Sequence, residues 1–164
     1  MQIAIAVSFI LAGIAADQWV KHWCVTVLAE KGSIPLWENV FHLTYAENKG
    51  AGFSILSGQR WFLIAITSAV LIAIIIALIR HSIPKGLASW GAYCVISGAV
   101  GNLIDRIRQG FVVDLFDFRA INFAIFNVAD VLVCVGAGLF ALWAIIGITQ
   151  EDRAKKKLPE TRND

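Results

Sequence analysis

The chain has 164 residues, of which 58% are hydrophobic and 16% are charged, with a formal net charge of +2 and a mean hydropathy of +0.70. A soluble domain carries about 25% charged residues, so this composition excludes a soluble globular protein. The small net charge, with no arginine-rich tract and no aromatic RNA-binding motif in the sequence, also argues against a nucleic-acid partner.

Four apolar segments are long enough to cross a bilayer, which takes roughly 20 residues of helix. The first of them lacks the Lys or Arg that precedes a cleavable signal peptide, so we expect it to be retained. The predicted fold is an α-helical integral membrane protein, with a single four-span domain over 1–150 and a charged, disordered cytoplasmic tail over 151–164. The predicted spans lie at about 3–23, 61–79, 87–104 and 126–147.

The distribution of basic residues predicts which way the spans point. An even number of spans puts both termini on the same side of the membrane. The short link between spans two and three carries Arg80 and Lys85, and the tail is rich in Lys and Arg, whereas the two longer loops mix basic residues with acids. By the positive-inside rule, we expect both termini in the cytoplasm and the loops at about 28–60 and 105–125 outside.

The first outer loop contains one strand-like segment. Apolar and polar residues alternate over Phe41-His-Leu-Thr-Tyr45, as in a strand with one covered face. Turn-forming residues flank this segment at Ser33-Ile-Pro35 and Asn48-Lys-Gly50. The pattern predicts a small extracytoplasmic β element lying on the membrane surface.

The unusual polar residues gather at one membrane boundary, where spans one and three end and span four begins. Asp17 and Lys21 are four residues apart on span one and therefore share a helix face. The inner halves of the spans carry no such groups. The full set at the outer boundary is Asp17, Lys21, Asn48, Asn102, Asp105, Arg106, Asp114, Asn127 and Asp130.

Asp130 is the most informative single position. It is the only charged residue between Ala120 and Gln150, and an ionisable group in such apolar surroundings is a functional candidate. The segment Asn127-Val-Ala-Asp130 also fits a helix N-cap with an acid in the first turn, where the helix dipole favours negative charge. The two interpretations are compatible.

Asp114 precedes Asp130 by 16 residues and returns to the same boundary. In isolation it would be interpreted as a solvated loop acid. Two carboxylates held close together cannot both ionise, so such a pair works as one base and one acid. One carboxylate would activate water while its protonated partner polarises the amide carbonyl. Such a pair needs neither a metal nor a cofactor, and the spacing of the Cys and His residues also argues against a metal site.

Two other functions stay open on the residues alone. A small four-span proton-coupled transporter would use an intramembrane Asp as its proton site, although such an acid is expected near the midplane rather than at a boundary. A non-catalytic assembly subunit would use the acids only to cap helices.

Together these residues resemble the bacterial lipoprotein signal peptidases, also called signal peptidase II or prolipoprotein signal peptidases. The resemblance runs from Asp17 to the end of span four. Gly52 stands where the family usually has Ala, a departure that we expect to be tolerated. The motifs, in chain order, are Asp17-Gln-x-x-Lys21, Asn48-Lys-Gly-Ala-Gly-Phe-Ser54, Gly101-Asn-Leu-Ile-Asp-Arg106, Val112-Val-Asp114 and Phe126-Asn-Val-Ala-Asp130.

The resemblance implies an aspartic endopeptidase of the bacterial cytoplasmic membrane that cuts prolipoproteins just before a diacylglyceryl-modified cysteine. It implies that Asp114 and Asp130 are the catalytic pair, that Asp17 and Lys21 brace span one, and that globomycin-type cyclic peptides block the cleft. Lipidated prolipoproteins and membrane lipid are the expected partners. Residues implied to line or support the substrate site are Asn48, Gly101, Asn102, Asp105, Arg106, Asn127 and Ala129.

Two roles follow from side-chain chemistry. Arg106 is expected to pair with Asp105 or Asp17 rather than to act as a catalyst. The asparagine side chains can donate amide hydrogens to the substrate backbone or to a carboxylate.

Overall fold

A computed structural model describes residues 2–52 and 55–157, with the side chains of 3–52 and 55–150. Four long helices dominate the described chain: α1 (Gln2–Trp23), α2 (Arg60–Ile79), α3 (Leu87–Arg108) and α4 (Val128–Lys157). Their apolar stretches are long enough to cross a membrane. Phe53 and Ser54 of the 48–54 motif, and residues 158–164 of the predicted tail, lie outside the described residues.

Two helices run further than the predicted spans. Helix α1 continues through a π-helical turn (Cys24–Leu28) into a last helical turn (Ala29–Lys31). Helix α4 continues to Lys157, into the segment that we predicted to be disordered. Residues 150–157 are Gln, Glu, Asp, Arg, Ala and Lys, most of which favour helix, and neither Gly nor Pro interrupts them.

Helix α3 is the centre of the bundle and contacts the other three long helices. In its apolar stretch 56% of the residues are buried inside the protein, against 6–11% in the other helices, which leave most of their apolar surface uncovered by protein. Glycines let α3 and α4 approach closely: a methyl group on Gly91 would lie 2.9 Å from the carbonyl oxygen of Gly136, and one on Gly98 would collide with the carbonyl of Ala129. The start of α4 is thus held tightly against α3.

A three-stranded antiparallel sheet lies where α1 and α3 end and α2 and α4 begin, which we call the sheet end of the bundle. Its strands, in order, are β1 (Ser33–Trp37), β2 (Phe41–Asn48) and β3 (Val112–Phe118). The strand predicted over 41–45 is confirmed within β2. The turn predicted at Ser33-Ile-Pro35 is wrong, because these residues pair with β2 as an edge strand, where the missing N–H of proline is tolerated.

Strand β3 was not predicted, and it carries Asp114. Val113 and Leu115 on this strand pack with Cys24 and Leu28 at the end of α1 in a fully buried cluster. Because side chains alternate along a strand, Asp114 faces away from this cluster. Asp114 is therefore a buried strand residue, with 2% of its surface exposed, and not a solvated loop acid.

Candidate active site

Asn127 and Asp130 form the start of helix α4. The backbone N–H of Asp130 donates to Oδ1 of Asn127 at 2.9 Å, and the backbone N–H of Asn127 donates to Oδ2 of Asp130 at 3.2 Å. This reciprocal pair is a capping box, which satisfies two backbone donors that the first helical turn leaves without a partner. The predicted N-cap is confirmed, and it fixes the position of the Asp130 carboxylate.

The side chain of Asn127 also joins the two acids. Its Nδ2 donates to Oδ1 of Asp114 at 2.7 Å, and the residue is fully buried. One asparagine therefore holds Asp114 through its side-chain amide and Asp130 through its backbone. The strand β3 and the helix α4 thus bring together Asp114 and Asp130, the two acids predicted to form a pair.

Two further asparagine side chains donate hydrogen bonds to the other oxygen of each carboxylate. Nδ2 of Asn48, at the end of β2, donates to Oδ2 of Asp114 at 3.1 Å, and Nδ2 of Asn102 in α3 donates to Oδ1 of Asp130 at 2.8 Å. Each carboxylate thus receives one donor on each oxygen. All three asparagines predicted to offer amide donors do so to the two acids.

Burial and mutual repulsion act on the charge of Asp114. Burial, with a smaller contribution from the negative charge of Asp130, raises the pKa of Asp114 to about 7, against the hydrogen bonds from Asn48 and Asn127, which lower it. Asp114 is therefore the acid whose protonated form the structure favours near neutral pH.

Lys21 is the centre of a second buried network, which Asn102 joins to Asp130. Its ammonium group lies 2.9 Å from Oδ2 of Asp17 and 3.0 Å from Oδ2 of Asp105, and it donates to Oδ1 of Asn102 at 2.8 Å. Asp17 in turn accepts a hydrogen bond from the backbone N–H of Ala129 at 2.9 Å. The Asp17–Lys21 pair therefore ties α1 to α3 and to the first turn of α4.

Among the described residues Arg106 forms no ion pair with Asp105 or Asp17, so the ion pair expected for it is wrong. Asp105 and Arg106 are consecutive on α3 and so point about 100° apart, which leaves Asp105 facing Lys21 of α1. Arg106 points to the segment after β2 instead, where its Nη2 donates to the carbonyl of Gly50 at 2.7 Å.

Gly101 is needed because the Asp17 carboxylate packs against it. A methyl group at this position would lie 2.5 Å from Oδ2 of Asp17 and 3.4 Å from the Cβ of Ala129. Gly101 and Ala129 are thus packing positions that allow the network to close.

Two mostly apolar cavities meet at Asp130, and Asp114 is not among the residues that line them. The larger, about 540 Å³, runs between α4 and residues 123–126, and the smaller, about 330 Å³, runs between α2, α3 and α4. Asn102, Arg106 and Asp130 line both. The site is therefore a polar junction between two apolar channels, a form that suits an extended substrate with apolar ends.

Sequence reasoning gave no role to two residues that support the site. Gln18 donates to Oδ1 of Asp105 at 3.0 Å, and Arg60 donates to the carbonyls of Arg106 and Ile107, both at 2.8 Å, at the end of α3. Gln18 belongs to the motif Asp17-Gln-x-x-Lys21, and this position in a motif is the sequence feature that could have indicated its role. Nothing in the sequence indicated that Arg60 would cap a helix far along the chain.

Comparison with known proteins identifies the family. A family model described as signal peptidase (SPase) II matches residues 9–146. The lipoprotein signal peptidase of Brevibacillus brevis is 49% identical over 129 residues, covering 79% of this chain and 87% of the relative. That of Lactococcus lactis subsp. lactis is 41% identical over 155 residues, covering 93% and 99%. The chain belongs to the signal peptidase II family.

Solved structures agree with this assignment. A structure described as a bacterial membrane enzyme, obtained by the in meso method, has a TM-score of 0.80 at 29% identity and covers 98% of this chain and 96% of its own. A second with the same description has a TM-score of 0.78 at 28% identity and covers 87% and 93%. The predicted fold class and the family resemblance are confirmed, and this member of signal peptidase II is a multi-pass membrane peptidase.

Proposed function

We propose that this chain is an aspartic endopeptidase that removes the signal peptide from prolipoproteins, cutting just before a cysteine that carries a diacylglyceryl group. The observation that carries the proposal is the Asn127 bridge, by which one buried residue binds both Asp114 and Asp130. Its family relatives are named lipoprotein signal peptidases, which supports the substrate class.

The surroundings of the two acids support different roles for them. Asp130 lies in the first turn of α4, where the helix dipole stabilises a negative charge, and it accepts from Asn102 and from the backbone of Asn127. Asp114 has no helix dipole and has a pKa raised to about 7. In this mechanism Asp130 is the ionised base and Asp114 is the protonated acid.

Hydrolysis then proceeds with a balanced exchange of protons. Asp130 takes one proton from a water molecule, whose oxygen bonds to the scissile carbonyl carbon, while Asp114 gives its proton to the carbonyl oxygen. The tetrahedral diol collapses as Asp114 takes a hydroxyl proton back, Asp130 gives its proton to the leaving nitrogen, and the C–N bond breaks. Both acids return to their starting states, and no metal or cofactor is required.

The two cavities offer apolar walls for an apolar substrate on both sides of the cut. Their polar junction carries Asn102 and Arg106, and the amides there can hold a substrate backbone that has left its helical form. Membrane lipid and globomycin-type cyclic peptides are proposed as further ligands of this cleft. Asp130 lies at the start of a helix and not at a break in its middle, so the transporter alternative gains no support.

We further propose that the protein lies in the bacterial inner membrane with both termini in the cytoplasm, which would put the sheet end and the acid pair at the outer face. A signal peptide crosses the membrane as an apolar helix and is cut at its outer end, so this orientation brings water and the cleavage point together.

The decisive experiment measures cleavage of a lipidated prolipoprotein by Asp114→Asn and Asp130→Asn variants reconstituted in lipid. Each should lose activity by at least about 10²–10⁴-fold, the usual contribution of an acid or base group. Asp117→Asn is the matched control, since Asp117 is also a buried acid of β3 but bonds to Thr44 and Arg119 on the sheet. Near wild-type cleavage by either test variant, with the variant folded, would overturn the proposal.

A further inference from the structure

A third cavity, which is polar and has a volume of about 290 Å³, lies at the sheet end, in the crevice between the end of α1, the end of α3 and the start of β3. It borders a different face of α3 from the catalytic junction, since Asp105 lines it while Asn102 and Arg106 line the two apolar cavities. Its polar lining consists of Gln18, Lys21, His22, Asp105, Arg108 and Gln109.

The floor of this crevice has its hydrogen bonds already made. Oδ1 of Asp105 accepts from Gln18, and Oδ2 lies against the Lys21 ammonium and the backbone N–H of Val113. Asp17, which shares Lys21, is fully buried behind it and does not line the cavity. The carboxylate oxygens of the floor are therefore occupied by donors.

The rim is different, because it carries donors that are not used. The side chains of His22, Arg108 and Gln109 are exposed, and none makes a hydrogen bond or ion pair with another described residue. The lining lies wholly in the described part of the chain and contains two basic residues, Lys21 and Arg108. Lys21 is paired with carboxylates, whereas Arg108 has no carboxylate partner there. The rim thus presents one cation without a carboxylate partner and two side chains that can donate N–H groups.

The depth of the crevice indicates where its ligand comes from. Lys21 and Arg108 lie near the sheet-end termini of two helices that are long enough to cross the membrane. The ends of a membrane-spanning helix lie in the headgroup region, where phospholipid phosphates are found, and the planar guanidinium of arginine donates paired hydrogen bonds to phosphate oxygens.

We propose that this crevice binds the phosphate group of a phospholipid headgroup, with Arg108 as the main ligand and His22 and Gln109 as supporting donors. The same chemistry would accept free phosphate. Because Lys21 in the floor also donates to Asn102, which holds Asp130, this headgroup site lies two hydrogen bonds from the candidate catalytic acid.

The test is thermal unfolding of the full-length protein in detergent with three added compounds. Dioctanoyl phosphatidylglycerol should raise the melting temperature, whereas dioctanoylglycerol, which has the same chains without the phosphate, should not. Arg108→Gln should weaken the apparent affinity for phosphatidylglycerol by about tenfold or more, since it removes a charge-assisted contact. Lys31→Gln, which removes an exposed cation outside the crevice at the same end, is the matched control.

The third compound, inorganic phosphate, distinguishes the two sources. A shift with phosphatidylglycerol only supports a lipid headgroup site, and an equal shift with inorganic phosphate supports the site with free phosphate as its ligand. The proposal is overturned if neither phosphatidylglycerol nor inorganic phosphate raises the melting temperature. It is also overturned if Arg108→Gln and Lys31→Gln change the apparent affinity for phosphatidylglycerol by the same factor. Gln109→Leu provides a second, independent variant, for which a smaller loss of affinity is expected.

Discussion

Replacing Asp114 by asparagine should abolish cleavage and yet stabilise the fold at neutral and alkaline pH. The folded protein raises the pKa of this carboxyl from 3.8 to about 7, mainly by burial. The folded state therefore holds a proton that the unfolded chain releases. The stability that this group contributes is complete below pH 3.8 and is lost as the pH rises through about 7, because ionisation then favours the unfolded chain.

The size of the effect follows from the pKa difference. Each unit of pKa corresponds to about 1.4 kcal/mol, so ionisation of Asp114 costs up to about 4 kcal/mol above neutral pH. Asparagine carries no charge and avoids this cost. It has only one acceptor oxygen for the two donors, Asn48 and Asn127, and so loses one hydrogen bond worth about 1 kcal/mol. The expected net gain is about 3 kcal/mol at pH 8, turning into a loss of about 1 kcal/mol at pH 4.

Thermal unfolding in detergent between pH 4 and pH 8 measures this directly, with wild type, Asp114→Asn and the Asp117→Asn control compared at each pH. The melting temperature of Asp114→Asn should rise relative to wild type as the pH increases. A difference that stays constant with pH, or that falls as the pH rises, would refute the argument that burial holds the proton on Asp114.

The remaining predictions concern the reaction, the packing and the orientation. Cleavage should fall as the pH rises through about 7, since Asp114 must be protonated to act as the acid, and a pH–rate profile that stays flat to pH 9 would contradict this role. Gly101→Ala should lower stability by about 1–3 kcal/mol because its methyl group meets the buried Asp17 carboxylate, whereas Gly138→Ala, with open space around it, should not; thermal unfolding compares the two. In a Cys134→Ala background, Ile121→Cys should react with a membrane-impermeant thiol reagent on intact cells, and Ser82→Cys, in the link between α2 and α3, only after permeabilisation. The reverse labelling pattern would invert the proposed orientation.

The helices and the capping of α4 could be predicted because local sequence determines them. A long apolar run without charges has one stable form in a bilayer, and Asn127 followed three residues later by Asp130 matches a local hydrogen-bond pattern. For the same reason the position of Asp130 was predictable to within one helical turn.

The surroundings of Asp114 could not be predicted, because they depend on contacts between distant parts of the chain. Val112–Phe118 carries its two acids, Asp114 and Asp117, three residues apart, which breaks the alternation of a half-buried strand. Its strand form depends on pairing with β2 on one edge and with Phe126 on the other. The ion pair predicted between Arg106 and Asp105 or Asp17 was wrong for a similar reason. The sequence places Arg106 next to it, but the helix geometry turns Asp105 toward Lys21, 84 residues earlier in the chain.

The two acids are positioned by different kinds of structure, and the same difference would decide their chemistry. Asp130 completes a helix start, where a negative charge stabilises the helix, so its ionised form agrees with its structural role. Asp114 is buried on a strand between residues that pack into the core, where an ionised form is costly. The helix start therefore favours the base and the buried strand favours the acid, and Asn127 holds the two at a fixed position relative to each other.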